Sequence, residues 1–303
     1  MNKIVVITGP TASGKSAISV DIAKKLDGEI ISCDSMQIYK RMNIGTAKIS
    51  QAEMRGIPHH MIDIVEPQES FSVGEYAILA NKVIGEVLSR GKVPIIVGGT
   101  GLYIDAILYK MSFGGNKRDD VRKSLEDECS KYGKEYMYNM LVQIDPVDAE
   151  KIHPNNIKRV LRALEIYRIS GKCKSDLAAF EREIQYDCCM AVMNPDRENL
   201  YEKINLRVDR MIDQGLLNEI NNLLAEGVTF DCQSMQAIGY KEVNEYIDRK
   251  LNLFELKEKI KQHSRNYAKR QITWIKKYEF AKWFNPQTQL DSIEDYIVNY
   301  IRG

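Results

Sequence analysis

Residues 9–16, GPTASGKS, directly follow an apolar run at residues 4–7 and lead into an amphipathic stretch that starts near Ala17. Few folds accommodate the pattern G-x-x-x-x-G-K-[S/T] between a strand and a helix. Its glycines let backbone N–H groups converge on a phosphate, while the following helix turns the positive end of its dipole toward the same anion. Gly9, Pro10, Thr11, Ala12, Ser13, Gly14, Lys15 and Ser16 are therefore the candidate phosphate cradle, with Lys15 as a point charge on phosphate oxygens and the Ser16 hydroxyl as a Mg²⁺ ligand. An ordinary glycine-rich turn is the competing reading, and the full motif in its strand–loop–helix context weighs against it.

Two further apolar runs, at 29–32 and 93–97, alternate with helix-period segments. This alternation predicts a P-loop NTPase-like α/β fold, a parallel sheet flanked by helices. Ahead of the third run, Ser72 and Glu75 have capping-box spacing and Gly91 ends the helical pattern. From Asn116 to Glu183 the chain turns highly charged with helix periodicity, so residues 1–115 and 184–303 are expected to form the α/β core and 116–183 a mainly helical insertion. Within the second part of the core, 186–193 reads as a returning strand, and 200–225 and 255–277 read as helical. Charged residues at 28% against 44% hydrophobic exclude a disordered chain. No apolar run reaches the ~18 residues of a membrane span, and Met1 is followed almost at once by the first strand, so a cytoplasmic protein without a signal peptide is expected. The six cysteines lack C-x-x-C spacing and are expected to be reduced thiols.

Asp34 ends the second predicted strand, where open parallel sheets bind ligands. Three roles stay open for it: a residue linked to Mg²⁺, a general base, or a turn-capping carboxylate. The third strand runs into Gly98, Gly99, Thr100 and Gly101, where Thr100 is either a hydroxyl donor beside a closely approaching ligand or part of a plain tight turn. Between residues 257 and 277 eight Lys and Arg face a single acid, with His263, Tyr267 and Trp274 interleaved, which suits either a polyanion surface or a solvated face. Lys158, Arg159, Arg162 and Arg168 make a second basic stripe. His59, His60, His153 and His263 lack metal-ligand spacing and are expected in structural roles.

Seven further blocks, in order, accompany the glycine-rich loop: DSMQIYKRMNIGTAK at 34–48, IPHHMID at 57–63, GGTGLY at 98–103, HPNNIKRVLRALEIY at 153–167, NLRVDRMIDQGL at 205–216, QAIGYKE at 236–242 and YAKRQITW at 267–274. Over most of its length the chain closely resembles the tRNA dimethylallyltransferases, also called tRNA isopentenyltransferases. The resemblance implies transfer of the dimethylallyl group of dimethylallyl diphosphate to N6 of the adenosine at position 37 of tRNA, with Mg²⁺ and with the loop at 9–16 receiving the donor's diphosphate rather than ATP. It implies catalytic roles for Asp34, Thr100, Arg207 and Lys15. Ser35, Met36 and Gln37 would face the target nucleotide beside Asp34, and Thr100 and Arg122 match positions that touch tRNA. The anticodon stem-loop would be gripped by Lys158, Arg159, Val160, Leu161 and Arg162, by Gln236, Gly239 and Lys241, and by Lys269 and Arg270. Ser16 stands where the family often has Thr, which keeps the hydroxyl. A monomer is expected. The alternatives are prenylation of free adenylate, a P-loop small-molecule kinase, and a non-catalytic RNA-binding module with a vestigial loop.

Overall fold

β-Branched residues fill the first apolar run, and side chains of that kind suit a strand covered on both faces. In the computed structural model, which describes residues 1–110, 119–179 and 183–303, this run is β1 (Lys3–Thr8). It is followed by α1 (Lys15–Leu26), β2 (Gly28–Cys33), α2 (Gln51–Met54), β3 (His59–His60), α3 (Val73–Ser89), β4 (Val93–Gly98) and α4 (Gly101–Leu108). Next come α5 (Asp119–Tyr132), α6 (Lys134–Ile144), α7 (Pro146–Ala149), α8 (Ile157–Ser170) and α9 (Lys174–Ala179). The chain ends with β5 (Asp187–Met193), α10 (Arg197–Asp213), α11 (Leu216–Ala225), α12 (Tyr240–Ile247), α13 (Leu253–Ile275), β6 (Lys282–Phe284) and α14 (Leu290–Arg302).

Residues 1–108 with 186–303 form one compact unit, and the described residues between 109 and 185 form another. The expected start of the insertion at Asn116 lies outside the described residues, whereas the helices α5 to α9 all fall within the second unit.

In the first unit every strand pairs parallel to its neighbours, in the order β3-β2-β4-β1-β5-β6. Gly98 at the end of β4 is in register with Thr8 on one side and Cys33 on the other. The segments that leave β1, β2 and β4 therefore emerge side by side at the carboxyl edge, where such sheets bind ligands. Alternation along the strands sends Val5, Ile7, Ile95, Val97, Ala191 and Met193 to one face, where they pack with Ile18 and Ile22 of α1 and Ile293 and Ile297 of α14. Helices α3 and α4 cover the other face and bury Ile84, Ile104 and Ile107. There the Tyr76 ring stacks on Tyr103 with centroids 3.7 Å apart, and the Tyr76 hydroxyl donates to the Ser32 carbonyl at 2.9 Å.

The capping box expected at Ser72 and Glu75 opens α3, with both reciprocal bonds present. The helical stretch expected over 200–225 is two helices, because Gly215 at φ 99° breaks it between α10 and α11. Strands β3 and β6 and helix α14 are additions that the sequence pattern did not predict, two of them too short to show a period. No helix among the described residues is long and apolar enough to cross a membrane.

The second unit is built on contacts among α5, α6 and α8, around Leu125, Met137, Leu141, Val160, Leu161 and Leu164. This corrects the expectation for two residues of the RNA-gripping block. Val160 is 0% and Leu161 4% exposed, so their side chains hold that small core together and cannot meet a ligand.

Truncating Ile297 to Ala should lower unfolding free energy by about 2–5 kcal/mol, since its side chain is fully buried between α14 and the sheet. Urea denaturation followed by circular dichroism measures this, and an unchanged midpoint would show that α14 does not close the core.

Candidate active site

The loop between β1 and α1 needs its glycines. Gly9 has φ 148°, and a Cβ there would stand 2.3 Å from the Met193 carbonyl oxygen at the end of β5. Gly14 enters α1 at φ 88° and offers no side-chain cap, leaving the first-turn N–H groups for an incoming anion. Lys15 folds back over the loop, its Nζ donating to the carbonyls of Gly9 at 3.0 Å and Pro10 at 2.6 Å. Ser16 is exposed in the first turn of α1. A second cation reaches the same loop from α10: Arg207 donates through Nη1 to the Thr11 hydroxyl at 3.0 Å and through Nη2 to the Thr46 carbonyl at 3.2 Å. Burial, with the Arg207 guanidinium second, lowers the Lys15 pKa from 10.5 to about 7, against the opposing pull of Asp34. Arg207 is also drawn down by burial and held up by Asp34, yet a guanidinium keeps its proton throughout the physiological range.

Asp34 leaves β2 within electrostatic reach of both cations. Its Oδ1 accepts the Met36 N–H at 2.9 Å and lies 3.4 Å from the Gln37 nitrogen, an Asx turn that fixes the carboxylate and shapes the 34–37 segment. The turn-forming role is therefore realised, and Oδ2 is left for other work. Thr100 ties the ends of β2 and β4: its N–H donates to the Cys33 carbonyl at 3.2 Å, and its Oγ1 accepts the Ser35 N–H at 3.1 Å. Thr100 is thus both part of the turn into α4 and a hydroxyl beside Asp34 and Ser35. Near Thr100 and Asp34, the Tyr267 hydroxyl has its pKa pushed up to about 12, first by burial and then by Asp34, so it stays protonated.

Helix α13 closes this seam through residues that sequence reasoning missed. Gln271 accepts the Thr11 N–H at 2.8 Å with Oε1 and donates to the Gly99 carbonyl at 3.0 Å with Nε2. One amide thereby fastens the phosphate loop to the end of β4. A Cβ at Gly99 would lie 2.1 Å from Gln271, and one at Gly101 2.2 Å from the Trp274 ring, so the glycines serve the approach of α13. A signal existed: Gln271 lies three residues after Ala268 and four before Ile275, in phase with the buried stripe of the helix.

The basic surface is narrower than the composition of 257–277 implies. Lys257 and Lys261 pair with Asp209, Lys259 with Glu245, and Arg265 donates to Asn205. Those charges hold helices together. Lys269, Arg270, Lys276 and Lys277 are exposed without a carboxylate partner among the described residues, Arg270 lying over Tyr267 and Lys277 over Trp274. Gln236 and Lys241 are exposed and Gly239 is buried. In the second unit Lys158 and Arg159 are exposed, whereas Arg122 and Arg162 are engaged by Glu165, with Glu126 also on Arg122. Each histidine has a partner within the fold: His60 pairs with Glu29, His263 with Glu242, His59 bonds the Ile57 carbonyl, and His153 accepts the Asn155 N–H at 3.2 Å.

Comparison with known proteins, by sequence and by structure, assigns the chain to a family. The family model described as IPP transferase matches residues 37–278, and one described as Isopentenyl transferase matches 2–68. The chain belongs to the IPP transferase family. Relatives named tRNA dimethylallyltransferase include those of Caldanaerobacter subterraneus subsp. tengcongensis, 49% identical with 99% of this chain and 98% of that one aligned, and of Bacillus anthracis, 49% identical with 99% and 96% aligned. Among solved structures, the tRNA isopentenylpyrophosphate transferase of Bacillus halodurans superposes with a TM-score of 0.75 at 42% identity, covering 100% of this chain and 97% of that one. A eukaryotic dimethylallyltransferase acting on tRNA superposes with a TM-score of 0.85 at 30% identity, covering 99% and 80%.

For this IPP transferase family member the depressed Lys15 pKa makes anion binding depend on pH. With its pKa lowered to about 7, chiefly by burial, Lys15 would give up its proton above that pH, and a polyanion bound beside it would favour the charged form and restore the proton. Pyrophosphate binding at pH 8.5 should therefore take up close to one proton at Lys15, and this contribution to affinity should weaken by up to about tenfold for each pH unit above 7. Calorimetry in buffers of different ionisation enthalpy measures the uptake. A Lys15→Met variant should lack it, and equal uptake in both proteins would overturn the assignment.

Proposed function

We propose that this protein transfers the dimethylallyl group of dimethylallyl diphosphate to N6 of the adenosine at position 37 of tRNA, releasing diphosphate. The observation that carries the reading is one carboxylate, Asp34, set opposite two cations, Lys15 and Arg207, where the ends of β1, β2 and β4 meet. The names of the relatives and of the tRNA-acting structural neighbour support the same substrates.

The chemistry asks for these groups. The bond between the allylic carbon and the diphosphate oxygen breaks with its electron pair going to the leaving group, a bond from N6 to that carbon forms, and the N6 proton passes to Asp34. An adenine amine is a weak nucleophile, so a positioned base is worth typically ~10²- to 10⁴-fold. With Oδ1 held in the Asx turn, Oδ2 is the atom for that proton. Negative charge grows on the departing oxygens, and Lys15, Arg207 and the first-turn amides of α1 oppose it from fixed positions. Ser16 is a hydroxyl exposed beside the cradle, a donor type that suits Mg²⁺, which takes few protein ligands and completes its shell with phosphate oxygens and water. When bound, Mg²⁺ would supply further neutralisation of the diphosphate.

An adenosine must leave its stack to reach Asp34, at a cost of a few kcal/mol that contacts elsewhere offset. Lys269, Arg270, Lys276 and Lys277, exposed cations with rings beneath two of them, would supply phosphate contact and stacking. Gln236, Lys241, Lys158 and Arg159 are the other exposed candidates for RNA contact.

Incubation with labelled dimethylallyl diphosphate and Mg²⁺ should label tRNA and leave AMP unlabelled. Label on AMP alone would favour adenylate prenylation, and phosphorylation of a metabolite from ATP without prenyl transfer would favour a kinase. Asp34→Ala should lower transfer by at least ~10²-fold with tRNA affinity nearly intact; near-normal turnover at saturating RNA would remove Asp34 from the role of base. Reversing both Lys269 and Arg270 to Glu should weaken tRNA binding and flatten the plot of log affinity against log salt by a slope of about two. An unchanged slope would mean that neither touches phosphate.

A further inference from the structure

Glu219, on α11, belongs to none of the sequence blocks that carry the chemistry. Its carboxylate nevertheless accepts three consecutive backbone N–H groups, from Asn43 and Ile44 at 2.8 Å and from Gly45 at 3.2 Å, and also the Tyr240 hydroxyl at 2.6 Å. Gly45 is pressed flat against the Tyr240 ring, which a Cβ would meet at 2.3 Å. The loop gripped this way continues into Thr46, whose carbonyl accepts Arg207 Nη2 at 3.2 Å and Gln37 Nε2 at 3.4 Å. Arg207 in turn donates to Thr11 of the phosphate loop. An unbroken series of hydrogen bonds therefore runs from Glu219 through residues 43–46 and Arg207 to the diphosphate cradle.

Besides Glu219, the loop is reached from outside by Gln37, whose Nε2 donates to the Thr46 and Ala47 carbonyls at 3.4 Å. The bonds from Thr46 Oγ1 to the Met42 carbonyl, from the Ala47 N–H to Ile44 and from the Lys48 N–H to Asn43 lie within the loop and set its shape, not its place. Lys48 anchors the far end, on Asp63 and the Tyr39 carbonyl. At the near end the anchor is Glu219. Charge-assisted bonds from amides to a carboxylate are stronger than neutral ones, and three convergent donors leave that segment one position. A guanidinium is a planar fork, so fixing the acceptor of one Nη and the partner of the other fixes the whole plane.

We propose that Glu219 is a positioning residue for prenyl transfer. Through residues 43–46 it sets the Arg207 guanidinium against the departing diphosphate, and through Tyr240 it ties that guanidinium to the 236–242 segment assigned to RNA. The proposal rests on the prenyl-transfer reading given above. It makes the donor site and the RNA-facing segment one hydrogen-bonded assembly, with Glu219 at the junction and in contact with neither substrate.

A double-mutant cycle tests it. Glu219→Gln preserves size but turns an amide NH₂ toward backbone donors, and Arg207→Ala removes the group on which Glu219 is held to act. Single-turnover rates with dimethylallyl diphosphate and tRNA should fall on the order of 10²-fold in Glu219→Gln, with the KM for tRNA within about twofold of wild type. In the Arg207→Ala background the same change should cost no further rate. Tyr240→Phe, which removes one hydroxyl from the same carboxylate, serves if Glu219→Gln does not fold; it should slow transfer several-fold in the wild-type background and not at all beside Arg207→Ala. Multiplying losses, or a wild-type rate in the single variants, would overturn the assignment. A wild-type protein that labels no tRNA would instead defeat the functional reading itself, so the two failures are told apart.

Discussion

Lys15 and Arg207 are like charges gathered at one loop and withdrawn from water, an arrangement that opposes folding unless something compensates. Internal compensation is incomplete. Asp34 favours the charged form of both, yet burial outweighs it at Lys15, whose pKa ends near 7. Meanwhile Lys15 spends its donors on its own loop, on the carbonyls of Gly9 and Pro10. Under the proposed transfer a polyanionic leaving group would supply the missing compensation, and the two cations stand where its charge would develop. Such prepaid electrostatic arrangement is the form of stabilisation that counts most in a transition state.

Arrangement of that kind needs a frame that does not give way. Parallel register brings the three strand ends together, and the absence of side chains at Gly98, Gly99 and Gly101 brings the partners within touching distance. A Cβ at Gly98 would lie 2.1 Å from the Cys33 carbonyl oxygen, and at the next two glycines α13 fills the space. Thr100 then joins β4 to the Asp34 turn, and Gln271 joins β4 to the phosphate loop. Each fastening uses the main chain of the loop it holds, so the Asp34 turn and the loop that carries Lys15 are positioned through backbone rather than by flexible side-chain tips. The Asx turn at Asp34 follows the same logic, since the oxygen that shapes the turn also locks the rotamer of the carboxylate.

How much of this was legible in the sequence depended on whether the chemistry was local. The phosphate loop lies within one strand–loop–helix step, and Asp34 and Thr100 could be placed from strand ends alone, because the partners that define their settings are near in sequence or in adjacent strands. Gln271 and Glu219 act on loops 260 and 174 to 176 residues away, and no spacing rule reaches across a fold. Val160 and Leu161 were misplaced for a related reason: a block match carries every residue of a helix along, whereas the helix periodicity of 157–170 separates an outward face at Lys158 and Arg159 from an inward one. Applied to that block, the same periodicity would have sorted them.

The distribution of positive charge also bears on how such an enzyme chooses its substrate. Net charge is only +1, so no general field draws in polyanions, and the first half of α13 is neutralised by Asp209, Glu245 and Glu258. What remains is a short cationic tract on the last turns of α13, carried by the helix whose buried side holds Tyr267, Gln271 and Trp274 against the seam. The unpaired cations on the outer side and the contacts with the strand-end loops on the inner side therefore belong to one helix and its last turn. A nucleic acid held only by charge could slide along such a tract, and register must come from the extruded base. Under the proposed transfer an adenine seated at Asp34 would supply it, because its amine would have to meet one carboxylate oxygen whose direction the backbone has already fixed.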